Sequence, residues 1–146
     1  MVTEDDIKSI VGYRFPGGRY LIEHWENFLL TECTGAEILP DNMVHPVALF
    51  HVPILGSGTS LKEMFALGKA ASDFSINIES YDWEMFSPLY EDRLYDISGE
   101  VLSASRIEAA DGGRHDRIQF QFEVRDGTEL AARTIITWLY ARGRDE

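Results

Sequence analysis

His45-Pro-Val-Ala-Leu-Phe-His-Val-Pro-Ile-Leu-Gly-Ser-Gly58 is the stretch on which the fold turns. Proline has no N–H and holds φ near about −65°, which suits the first position of a helix. That places His45 at a helix mouth. Residues 47–55 are apolar nearly all round apart from His51, the pattern of a helix buried on every side. Pro53 has no N–H to give, which predicts a kink or an end there, and Gly56-Ser-Gly58 ends the helix. A second helix follows, because Ser60-Leu-Lys-Glu63 matches a capping box and Gly68 suits its far end.

Upstream, residues 3–10 read as a short helix with Thr3 as N-cap and Glu4, Asp5 and Asp6 in the first turn. Phe15-Pro-Gly-Gly18 reads as a turn and Arg19 to His24 as a short strand. Trp25, Phe28, Leu29 and Thr31–Cys33 lie at helical spacing, with Gly35 as the stop. That spacing places Cys33 on an apolar face as an inert buried thiol. Residues 36–44 read as a loop.

Downstream, the period changes to two. Phe74, Ile76 and Ile78 alternate with polar neighbours, and Tyr81 to Phe86 continues with a change of phase. Ser87–Asp92 is a turn, and Tyr95, Ile97, Gly99 and Val101 alternate again. Asp111-Gly-Gly113 is a hairpin loop. Ile118, Phe120, Phe122 and Val124 give the cleanest one-sided pattern in the chain. Asp126-Gly127 signals a two-residue hairpin, and Thr128 to Tyr140 is a long last strand, apolar on parts of both faces. Helices first and strands later predict an α+β chain, with residues 1–146 as one domain. A long antiparallel curved sheet wrapped around a buried central helix is the hotdog fold.

Twenty-five acids against 13 bases give a formal charge of −12, and no basic cluster offsets it. Such a surface repels nucleic acid and anionic membranes. No apolar run approaches the roughly 18 residues of a membrane span. The opening Met1-Val-Thr-Glu-Asp-Asp-Ile-Lys-Ser9 has no signal-peptide core, so a cytoplasmic protein is expected. Cys33 is the one cysteine, and the four histidines form no metal-ligand spacing, so neither metal nor cofactor is expected.

Several segments carry a likeness in order along the chain: Val11-Gly-Tyr-Arg-Phe15, Asp41-Asn-Met-Val-His-Pro46, Asp82-Trp-Glu-Met-Phe-Ser-Pro-Leu-Tyr-Glu-Asp-Arg-Leu94 and Val124-Arg-Asp-Gly-Thr128 onward. Together they resemble the MaoC-like hotdog family of hydratases and dehydratases. The resemblance implies acyl thioesters of coenzyme A or acyl carrier protein as substrates, trans-2-enoyl and (R)-3-hydroxyacyl forms being interconverted. It also implies pairing with a second hotdog chain, as a homodimer or heterodimer. In the family's Asp-x-Asn-Pro-hydrophobic-His motif, Asn42, Val44 and His45 match. Met43 replaces the proline, and Pro40 stands at the aspartate position with Asp41 one residue late.

Water addition to an enoyl thioester needs a base for water, an acid for C2 and donors for the thioester oxygen. The candidates are His45 for proton transfer and Asp41 or Asn42 to orient it or the water. The N–H groups of Val47 and Ala48 at the helix mouth are candidate oxyanion donors. Trp83, Phe86 and Gly56 are candidates for the acyl pocket. Each has a plainer reading: His45 as a helix cap, Asp41 and Asn42 as turn residues, Trp83 and Phe86 as core. His51 lies six residues past His45, well round the helix axis, and reads as a core or interface histidine. Three functions remain open: a hydratase or dehydratase, a catalytically silent hotdog subunit that shapes a partner's acyl pocket, and a hotdog domain recruited to other thioester or secondary-metabolite chemistry.

Overall fold

The computed structural model describes residues 1–144. The chain begins with α1 (Glu4–Lys8), β1 (Gly18–Leu21) and α2 (His24–Thr34). A loop leads to a 3-10 turn (Pro46–Phe50), then α3 (Val52–Gly56) and α4 (Leu61–Leu67). Four strands follow: β2 (Ile76–Met85), β3 (Leu94–Glu108), β4 (Gly113–Asp126) and β5 (Glu129–Arg144). The five strands make one antiparallel sheet in the order β1-β3-β4-β5-β2.

The sheet is built around β4. Ile118, Phe120, Phe122 and Val124 are each 0% exposed, and each such burial stabilises by about 1.5–3 kcal/mol. They stand opposite Trp138, Ile136, Thr134 and Ala132 of β5. On the other side Gly99 of β3 faces Phe122, and a Cβ there would come within 2.5 Å of the ring. The gap instead admits Phe15, which stacks on Phe122 at 5.6 Å between ring centres. The β4–β5 hairpin closes through Gly127, whose φ of 61° is left-handed.

Caps fix the short helices, although on α4 only half of the expected capping box forms, the Glu63 carboxylate accepting from the Thr59 hydroxyl instead. Thr3 and Asp6 form a reciprocal capping box on α1, and the Ser60 hydroxyl accepts from the Glu63 N–H on α4. Ala48, Leu49, Val52 and Ile54 are buried against the inner face of the sheet.

The central helix differs from the expected single element. It is two pieces, broken at His51, whose φ and ψ are −129° and −29°. Pro53 is the second residue of α3, so it opens that helix instead of ending the previous one. A missing N–H is no loss in a first turn. β1 stops at Leu21, and His24 already belongs to α2. Phe74 sits in a 3-10 turn before β2 and is fully exposed. The face of α2 is inverted: Trp25, Phe28 and Leu29 are exposed, while Asn27 and Thr31 are buried. Cys33 is exposed as well. Asn27 and Thr31 tolerate burial because their polar atoms are hydrogen-bonded. The change of phase in β2 is a β-bulge between Ile78 and Ser80.

Candidate functional site

His45 caps the 3-10 turn. Its Nδ1 accepts from the Val47 N–H at 3.0 Å, and its carbonyl accepts from the Ala48 N–H at 3.1 Å. Both amides expected to be free for a thioester oxygen are therefore engaged. The tight turn closes Ala48 onto His45, and the imidazole takes the one donor left over. An Nδ1 that accepts requires the proton on Nε2 in the neutral ring. As seated, His45 can donate from Nε2, while its Nδ1 lone pair is held by the cap.

Asp41 and Asn42 form the turn before it, both left-handed at φ 59° and both exposed. The Asn42 carbonyl accepts from the Glu91 N–H at 2.9 Å. No hydrogen bond among the described residues joins either side chain to the His45 ring.

What positions this loop is a buried amide that the sequence does not single out. Asn27 is 1% exposed. Its Nδ2 donates to the Met43 carbonyl at 3.1 Å and to Glu91 Oε1 at 2.7 Å. Its Oδ1 accepts from the His45 N–H at 3.0 Å. The Glu91 carboxylate, itself nearly buried, also meets His24 Nδ1 at 3.0 Å. The run of contacts ties α2, the 40–45 loop and the turn before β3 together.

The expected pocket residues do not converge. Gly56 packs against the sheet, where an added Cβ would fall 2.4 Å from Ile97 Cδ1. Trp83 stands opposite Thr134 on β2, partly exposed. Phe86 lines a shallow cavity of about 370 Å³ with Met43, Pro46 and Met85, and the Arg133 guanidinium lies over its ring.

A second cavity, about 320 Å³, lies between α3, α4 and β2. Phe50, Ile54 and Phe65 wall its helical side, and Ile76, Ile78 and Trp138 its sheet side. Three polar side chains reach it: His51, Ser60 and Tyr81. Burial raises the Tyr81 hydroxyl pKa, and the nearby Trp138 indole N–H partly opposes that rise. His51, expected in the core or an interface, lines this cavity. Pro53 carries the signal that could have shown it. A proline suits the first turn of a helix, so the two residues before it mark a boundary where the chain turns.

Among the described residues no three His, Cys, Asp or Glu side chains gather as a metal-ligand set. Among the described residues no helix is long and apolar enough to cross a membrane.

No family model and no curated protein sequence matches the chain. Solved structures do. The ChsH1-ChsH2 complex from Mycobacterium tuberculosis has a chain with TM-score 0.70 at 14% identity, over 97% of this chain and 90% of that one. The C-terminally truncated HadBC (3R-hydroxyacyl-ACP dehydratase) complex from the same organism gives 0.66 at 12%, over 89% and 96%. A thioesterase complexed with coenzyme A and zinc from Thermus thermophilus gives 0.55 at 11%, over 88% and 82%. At these identities the likeness is one of backbone architecture, and with the strand order and the buried central segment it establishes that this chain adopts the hotdog fold.

Proposed function

We propose that this chain is an acyl-thioester-binding hotdog subunit that pairs with a second hotdog chain. The apolar cavity between α3, α4 and β2 carries the reading. Its walls suit an acyl chain, and its volume of about 320 Å³ falls at the lower end of the range for small-molecule sites. The names of the similar structures support the substrate class, since they include a 3R-hydroxyacyl-ACP dehydratase and a thioesterase holding coenzyme A. Two of them are named as complexes, which supports pairing.

The seating of His45 favours a binding subunit over a self-contained hydratase. Its Nδ1 is committed to the Val47 amide, and no carboxylate among the described residues meets its ring. A hydratase or dehydratase needs a base with a free lone pair. In this reading the catalytic carboxylate and base come from the partner, while this chain holds the acyl group.

Calorimetric titration with a medium-chain trans-2-enoyl-CoA tests the binding. Leu61→Trp, at a half-exposed residue of the cavity wall, should weaken it by about tenfold or more, the loss of roughly 1.4 kcal/mol. Absence of binding by the wild type would overturn the reading. Water addition to the same thioester, compared with His45→Ala, decides the chemistry. Turnover by the wild type that disappears in His45→Ala would replace the binding subunit with a hydratase centred on His45.

A further inference from the structure

We propose that the cavity between α3, α4 and β2 selects acyl groups that carry an acceptor oxygen along the chain, received by the Tyr81 hydroxyl with the Trp138 indole N–H behind it. The inference rests on the acyl-thioester reading and narrows it from any acyl chain to an oxygenated one.

Three independent observations point the same way. The first is an unmade hydrogen bond. Trp138 is 2% exposed, lines the cavity, and its Nε1–H has no acceptor among the described residues. Buried donors left without a partner are few in native proteins, and each calls for an explanation. The indole stands near the Tyr81 hydroxyl, close enough to oppose the effect of burial on it, but the two do not meet in hydrogen-bonding geometry.

The second is the backbone. Regular alternation from Ile76 and Ile78 would turn Ser80 inward and Tyr81 outward. The bulge reverses this: Ser80 stands opposite Thr137 and Tyr81 opposite Ile136, on the inner face. Bulges recur where a side chain is re-aimed at a site. The extra residue, Glu79, is met by both prongs of Arg117, which reaches across β5 from β4, at 2.7 Å.

The third is the surroundings of the hydroxyl. The Tyr81 ring is stacked on Phe50 at 4.7 Å between centres, and the walls around it are apolar. Ser60, another polar residue of the cavity, caps α4 by accepting from the Glu63 N–H. With its oxygen accepting from Trp138, the Tyr81 hydroxyl would still have its own hydrogen to donate. An oxygen on the ligand then completes the relay. A plain alkyl chain leaves it incomplete, and sites built to hydrogen-bond a ligand reject the analogue that cannot.

The test compares octanoyl-CoA with 3-hydroxyoctanoyl-CoA and 7-hydroxyoctanoyl-CoA by calorimetry. Beyond any preference for the 3-hydroxy form that the family likeness already implies, 7-hydroxyoctanoyl-CoA should bind the wild type about tenfold tighter than octanoyl-CoA. Tyr81→Phe, which keeps the ring and its stacking, should bring that ratio close to one. In the wild type, the Trp138 indole N–H resonance should move downfield with 7-hydroxyoctanoyl-CoA and stay in place with octanoyl-CoA. Equal affinity for these two, or a preference that survives Tyr81→Phe, would overturn the inference and leave the acyl-thioester reading standing. Failure of all three to bind would remove both.

Discussion

Asp116 is 0% exposed and carries a charge, so its neighbours decide whether it can stay ionised. Burial alone raises its pKa. Hydrogen bonds from Arg106 at 2.8 Å and Arg142 at 2.6 Å outweigh that, and the net shift is below the ordinary aspartate value. A carboxylate whose pKa is lower folded than unfolded stabilises the fold above its unfolded pKa. That stability is lost as pH falls through the folded value. Asp116→Asn should therefore cost about 3–5 kcal/mol at neutral pH, because it takes the buried counter-charge from two poorly exposed guanidinium groups. Urea unfolding of both proteins from pH 7 to pH 3 should show the gap narrowing below about pH 4, as the wild-type carboxyl takes up its proton. A constant gap across that range would mean that folding leaves the Asp116 pKa where it is in the unfolded chain.

At the scale of elements, tight packing between α4 and β5 gives a second expectation. A Cβ on Gly68 would lie 2.3 Å from the Tyr140 ring. That ring cannot easily yield, since its hydroxyl donates to the Met64 carbonyl at 2.8 Å. Gly68→Ala should lose about 1–3 kcal/mol by overpacking, read as a lower thermal midpoint.

The same elements show what the sequence could reveal. β4 is legible because its alternation is one-sided, and the break in β2 is legible as a change of phase. Both are local patterns. α2 is legible as a helix but not in orientation, because its buried face is built on Asn27 and Thr31. The partners of Asn27, namely Met43, His45 and Glu91, arrive from elsewhere in the chain, and no helical period records them. The place of His45 at a helix mouth follows from Pro46, whereas the use of its imidazole depends on which amides the turn leaves over. The position of His51 is not legible while one continuous helix is assumed from His45 up to Pro53. A break resets the angular count, and the ring then faces the cavity.

For the molecule as a whole, one side of the sheet is unfinished. β2 pairs with β5 along one edge, and among the described residues no strand pairs along its other edge. Ile78 is 60% exposed, and Trp83, Met85 and Phe86 are exposed beside it. Phe50, Leu55 and Leu61 stand exposed on the helices across the cavity. An unpaired ten-residue edge strand that carries exposed apolar side chains is a surface that proteins cover by association. Sedimentation at micromolar concentration should show a dimer, or a monomer that joins an unlike hotdog partner. Ile78→Lys should weaken whichever assembly forms by about tenfold or more. A wild type that stays monomeric and captures no hotdog chain would remove pairing from the proposed function.

The strand that bounds the cavity is also the strand whose free edge would meet the partner, and this has a thermodynamic corollary. A ligand that binds the assembled chain more tightly than the separate one must strengthen assembly by the same factor. Apparent affinity then depends on how much protein is in the cell, rising with chain concentration until association saturates. Titrations made well below and well above the dissociation constant of the assembly should return two different values, and their ratio measures how strongly β2 couples the two events.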